Sequence, residues 1–170
     1  MNLFDKVVAA KERLKGVVHP TPLTPNINLS DEFQANVYLK REDLQMVRSY
    51  KIRGAYNKIS FLTAAEKTNG IVCASAGNHA QGVAYACSKL NIQATIFMPV
   101  TTPQQKIKQV KLFGKDKVTI VLKGDTFDES FHEASRFCEQ QQAVFIHPFD
   151  DDEVIAGQGT IGIELVEAVN

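Results

Sequence analysis

From residue 71 onward, short unbroken apolar runs alternate with stretches whose apolar residues recur every three or four positions. Ile71-Val72-Cys73-Ala74 has no polar alternation, the pattern of a strand covered on both faces. After Gly77-Asn78, the residues Ala80, Val83, Ala84 and Cys87 fall on one helical face. Gln93-Ala94-Thr95-Ile96-Phe97-Met98 predicts the next strand. Thr102-Pro103-Gln104-Gln105 then predicts a helix start, with Thr102 as cap, Pro103 as first helical residue and a glutamine completing a capping box. That helix should bury Ile107, Val110 and Phe113 and stop at Gly114.

The cycle repeats. Residues 117–122 are β-branched and strand-like, and Asp125 or Thr126 should cap a helix with Phe127, Phe131, Ala134 and Cys138 on one face. Residues 143–147 predict a further strand, and a last amphipathic helix is expected from about 159 to 168. Four strands joined by helical crossovers predict an α/β fold, a parallel sheet with helices on both faces. The first fifty residues read differently: a helix, then Pro20, Pro22 and Pro25, then a strand over 36–40. No repeat or linker-like shift in composition marks a boundary.

Composition narrows the function classes. With 170 residues and 44% hydrophobic content, the chain can bury a sizeable core of one domain or slightly more. Lys+Arg and Asp+Glu are both 19, so no net charge recruits a nucleic acid. No apolar stretch is long enough for a membrane span, and residues 1–6 lack signal-peptide architecture. Cys73, Cys87 and Cys138 are widely spaced, which fits a reducing cytosol better than a disulfide framework. A cytoplasmic protein with a small-molecule partner, and neither nucleic acid nor membrane, is the expectation.

Two segments carry candidate chemistry. In Ser49-Tyr50-Lys51-Ile52-Arg53-Gly54-Ala55 a lysine follows an aromatic residue at a predicted helix start. Ser49 can cap that helix, Tyr50 can stack on a planar ring, and Gly54 and Ala55 leave room for close approach. Arg48 and Arg53 flank Lys51, and nearby positive charge favours the neutral, nucleophilic amine. In Ser75-Ala76-Gly77-Asn78-His79-Ala80-Gln81-Gly82 a small-residue turn joins a buried strand to a helix. Its free N–H groups, with the Ser75 hydroxyl, can bind a carboxylate. His79 either joins that site or shapes the turn. A solvated surface lysine and a turn built for backbone reasons are the plainer readings of the two segments.

Together the two segments resemble the lysine and substrate loop of the serine/threonine dehydratases, and their wording leans toward the threonine-deaminating members. The resemblance extends through Leu39-Lys40-Arg41-Glu42-Asp43-Leu44-Gln45 to Ile155-Ala156-Gly157-Gln158-Gly159-Thr160. It implies pyridoxal 5′-phosphate as cofactor, held by Lys51 as a Schiff base, with Tyr50 and Asn78 at its ring. It implies that Ser75, Ala76, Gly77, Asn78 and His79 bind an amino-acid substrate. The implied fold is the tryptophan-synthase-β-like, fold type II pyridoxal-phosphate fold, here about its N-terminal half. Residues 1–45 are then an N-terminal segment of a larger lobe, 46–150 a smaller lobe carrying lysine and substrate loop, and 151–170 the start of the larger lobe. The implied activity is deamination of L-threonine to 2-oxobutanoate and ammonia, the first step toward isoleucine, by a homo-oligomer when complete. Serine racemase or serine dehydratase, and a non-catalytic binding fragment of the same fold, remain alternatives. The family's glycine-rich phosphate loop lies further along, and no Gly-Gly-Gly-Gly run occurs in these residues. Residues 1–170 alone are therefore expected to be inactive.

Two further patterns have plain readings. Gly157-Gln158-Gly159-Thr160-Ile161-Gly162 spells a dinucleotide fingerprint but follows an acidic run rather than a strand, so a closely packed helix start is the better reading. The acidic run 150–153 has no histidine or cysteine at ligand spacing, so it reads as solvated helix-start charge and no metal is expected.

Overall fold

A computed structural model describes residues 2–169. At its centre β3 (Ile71–Ala74), β4 (Ala94–Met98), β5 (Val118–Leu122) and β6 (Val144–Phe145) form a parallel sheet in the order β5-β4-β3-β6. All four strands lie within the apolar runs that predict them. The chain steps outward from β3 through β4 to β5, then returns to the other side of β3. This reversal leaves a switch point between the carboxyl ends of β3 and β6, where the following loops diverge and open parallel sheets bind ligands.

The faces of β3 explain its unbroken apolar sequence. Ile71 and Cys73 pack with Ala80, Val83 and Ala84 of α5 (Asn78–Leu90), whereas Val72 and Ala74 pack with Ala134 and Cys138 of α7 (Phe127–Gln141). Cys73 is wholly buried and its thiol pKa is pushed up by that burial, so it is a core residue. α6 (Gln104–Gly114) lies beside α5, buries Ile107 and Val110, and ends at Gly114 as its pattern predicts. Its predicted cap is wrong. Thr102 Oγ1 donates to the Pro99 carbonyl at 2.7 Å, and Pro103 takes the cap position with no side-chain bond. On α7 the cap is Thr126, accepting from Glu129 N at 3.2 Å, and Phe127 stays exposed outside the predicted apolar face.

The largest departure is α8 (Asp152–Val169), which starts well before residue 159. Asp151 caps it, Oδ1 accepting from Glu153 N at 2.9 Å and Val154 N at 3.1 Å. The glycines that suggest a helix start instead serve close packing within the helix. A Cβ at Gly157 would lie 2.6 Å from the Arg53 carbonyl oxygen and 2.7 Å from Gly54 Cα on α3 (Lys51–Phe61). One at Gly159 would lie 2.8 Å from Val7 of α1 (Leu3–Arg13). The fingerprint-like segment is thus helix interior, not a nucleotide loop. Nor is the whole acidic run solvated: Asp151 pairs with Lys58 at 2.7 Å, and the buried Glu153 pairs with Arg13 at 3.1 Å.

Near the amino end, β1 (Leu23–Pro25) pairs antiparallel with β2 (Tyr38–Lys40), and α2 (Ile27–Phe33) between them is capped by Asn26. α4 (Ala64–Asn69) opens on a Thr63–Glu66 capping box. No helix among the described residues is long and apolar enough to cross a membrane.

Candidate active site

α3 begins at Lys51, as the sequence predicts, after Arg48 turns the chain through φ +60°. Lys51 Nζ reaches the segment after β6 and donates to the Pro148 carbonyl at 2.7 Å. The same amine lies 5.2 Å from the centroid of the Tyr50 ring. That residue is 42% exposed, so a flat aromatic surface lies open beside the amine. Lys51 therefore stands at the switch point between β3 and β6.

The second segment arrives at the same place. Ser75 N donates to Phe97 O at 3.0 Å, and the chain turns through Ala76 and Gly77 into α5. The first helical bond runs from Gln81 N to Gly77 O at 3.4 Å, which leaves the N–H groups of Asn78, His79 and Ala80 without a helical partner. No side chain among the described residues caps this start, whereas α1, α2, α4 and α7 are capped by Asn2, Asn26, Thr63 and Thr126. Ser75 Oγ accepts from Gly77 N at 3.2 Å, so its lone pair serves the turn and its proton stays available to a ligand oxygen. Asn78, the first residue of α5, is exposed at the mouth of this turn. One turn further along α5, a Cβ at Gly82 would lie 3.0 Å from the Lys51 carbonyl carbon and oxygen. Glycine there brings the starts of α3 and α5 together, a role that the spacing Gly77-Gly82 hints at and only the helix crossing makes plain. Pro148 carries no comparable signal, because nothing in the sequence orders the strands.

Two roles expected of Lys51's neighbours change. Ser49 does not cap α3; Tyr50 holds the cap position, and Ser49 Oγ is buried with no hydrogen-bond partner among the described residues. Arg53 does not lend its charge to Lys51. It is 0% exposed and paired on both sides, with Glu42 at 2.7 Å and Glu164 at 2.6 Å. Burial alone would raise both carboxyls, but the Arg53 hydrogen bonds, with Thr21 on Glu42 and Lys40 on Glu164, hold them below the usual range.

His79 is only 4% exposed, and its Nε2 lies 2.9 Å from the Ile146 carbonyl oxygen. A carbonyl accepts, so Nε2 carries the proton. The side chain is thus turned into the fold, and what His79 can offer a substrate is its backbone N–H. Burial pushes its pKa down to about 4; the Ile146 bond opposes this, and the Lys51 and His147 charges add to it. With a folded value below the unfolded one, the contribution to stability is full above the ordinary histidine range and is lost as pH falls toward 4. Between pH 7 and pH 5 this one group should cost about 2 kcal/mol. Equilibrium unfolding of the parent and of His79→Gln at the two pH values checks it. The parent should lose about that much more than the variant, and equal losses would refute the assignment.

An amine, an open aromatic face, an amide and an uncapped helix start fit pyridoxal phosphate and an amino-acid carboxylate. Known proteins agree. The family model described as pyridoxal-phosphate dependent enzyme matches residues 14–170. The chain is 54% identical to the biosynthetic L-threonine dehydratase of Halalkalibacterium halodurans over 98% of its own length and 40% of the relative's. It superposes on threonine deaminase isoform 2 from Solanum lycopersicum with a TM-score of 0.88 and 47% identity, over 97% of this chain and 45% of that one. Maize serine racemase superposes with a TM-score of 0.90 at 33% identity, over 97% of this chain and 49% of that one. The chain spans about 40% of the length of the curated relatives it matches. It belongs to the pyridoxal-phosphate-dependent enzyme family.

Proposed function

We propose that the full-length protein carrying these residues is a cytoplasmic, homo-oligomeric ammonia-lyase that converts L-threonine to 2-oxobutanoate and ammonia, the first step toward isoleucine. The observation that carries the reading is the Lys51 amine at the sheet's switch point, beside the uncapped start of α5. Pyridoxal phosphate, when bound, supplies the electron sink that lets a proton leave an amino-acid Cα. Lys51 would hold the cofactor covalently, and its amine is the base placed to take the Cα proton. Tyr50 would back the cofactor ring, and Asn78, at the start of α5, would be the residue to hydrogen-bond it. The N–H groups of the 75–79 turn and the Ser75 hydroxyl fix the substrate carboxylate, which sets Cα before Lys51. The β-hydroxyl would leave as water, and hydrolysis of the resulting enamine would give 2-oxobutanoate and ammonia.

On this reading residues 1–45 and 151–170 belong to a larger lobe and 46–150 to a smaller one. Support comes from α1 packing on α8, and from a groove of about 1010 Å³ along that pair that leaves Phe4, Val8 and Val166 exposed. The fold suits serine racemase equally, but identity favours the dehydratases, at 54% and 47% against 33%. Incubating the full-length protein with L-threonine should release 2-oxobutanoate and ammonia in equal amounts. D-serine formation from L-serine without any oxoacid from threonine would overturn the reading in favour of racemisation.

A further inference from the structure

We infer that His79 is a positioning residue that clamps the segment presenting the Pro148 carbonyl to the Lys51 amine, an inference that rests on Lys51 being the working amine. β6 is only two residues long, and its last ladder bond is Ile146 N to Val72 O at 2.8 Å. Beyond that point no strand neighbour among the described residues holds the chain. The Ile146 carbonyl is instead taken by His79 Nε2 at 2.9 Å, from the first turn of α5. On the other side of Pro148, His147 Nδ1 accepts from Phe149 N at 3.3 Å and Asp150 N at 2.7 Å. The carbonyl that receives Lys51 Nζ is thus bracketed by imidazole hydrogen bonds on both flanks.

The two brackets differ in reach. The bonds of His147 are local to its own turn, whereas His79 ties the 146–148 segment to α5, the helix whose start forms the proposed carboxylate site. A lysine side chain has four rotatable bonds, and the free amine finds one orientation only if its acceptor is fixed. His79 therefore couples the amine's position to the turn it must serve. It does so as a neutral ring, donating from Nε2 while its buried Nδ1 has no partner among the described residues.

The test compares His79→Gln with His79→Asn in the full-length protein. A glutamine amide nitrogen falls near the Nε2 position and can still donate to Ile146, whereas an asparagine amide stops at the Nδ1 position. The readout is the rate at which cofactor-free protein takes up pyridoxal phosphate onto Lys51, followed by the visible absorbance band, with kcat and KM for threonine alongside. His79→Gln should stay within about twofold of the parent, and His79→Asn should be slower by about five- to tenfold, the worth of one buried hydrogen bond. The loss should fall on kcat more than on KM. Equal uptake rates for the two variants, both fast or both slow, would overturn the clamp, because a merely structural histidine gives no reason for the donor's position to matter. Borohydride reduction and peptide mapping of the parent separates the two readings. Label away from Lys51 refutes the functional reading itself, while label on Lys51 with equal variants refutes only the clamp.

Discussion

Lys51→Ala should abolish threonine turnover in the full-length protein, by about 10⁴-fold or more, the upper range for one proton-transfer group. Stability should hardly move. The side chain is half-buried and contributes one hydrogen bond, to Pro148, and one contact with the Tyr50 ring. Losing these costs about 1 kcal/mol, and alanine at a helix start regains a few tenths. Catalysis and folding are separable here because the packing of α3 rests on the fully buried Ile52, Ala55 and Ile59 rather than on the half-buried Lys51 side chain. Kinetics combined with thermal melting checks the claim. Turnover within a hundredfold of the parent, or a melting point lowered as far as a core truncation lowers it, would remove Lys51 from the proposed role.

What the chain's pattern makes legible is what local chemistry dictates. An apolar run with no polar alternation, such as 71–74, has to be covered on both faces, so the pattern alone locates the central strands. The starts of α3 and α5 are legible for a similar reason: small residues and a turn follow a loop and a strand. Strand order is not legible. The jump from β5 back to β6 depends on which edge of the sheet the α7 crossover reaches, and that is decided by packing among distant residues. Without the order there is no switch point, and without the switch point nothing connects Pro148 to Lys51, 97 positions earlier. α8 misleads in the other direction. Its glycines carry a local penalty of about 1 kcal/mol each relative to alanine, and only the close approach of α3 and α1 shows why they are tolerated within a helix. Sequence adjacency sets Arg53 beside the active amine, but helix geometry takes it away. Two residues along a helix turn a side chain by about 200°, to the opposite face.

That opposite face carries the largest expected effect on stability. Arg53→Met should destabilise the protein by about 3 to 5 kcal/mol at neutral pH, the cost of breaking a buried ion pair from one side. The guanidinium gives Nε and Nη2 to Glu42 at 2.8 and 2.7 Å, Nη1 to Glu164 at 2.6 Å, and Nη1 to Thr160 at 3.1 Å. Methionine fills much of the volume but leaves Glu42 with neutral donors only, Thr21 at 2.6 Å and Gln45 at 3.4 Å. Both carboxyls titrate below the ordinary range in the parent, so their contribution is present above the unfolded carboxylate pKa and is lost as pH falls through the lowered folded values. Without Arg53 the buried Glu42 should take up a proton more readily, because burial then acts with less opposition. The gap between parent and variant should therefore be widest at pH 7 and narrow as pH drops below the carboxylate range. A double-mutant cycle isolates the pair: in a Glu42→Gln background, Arg53→Met should cost clearly less than it does alone. A gap under about 1 kcal/mol at pH 7, or one that does not change with pH, would mean that the network linking β2, α3 and α8 contributes little, and that the close helix crossing at Gly54 and Gly157 is what holds Lys51 in place.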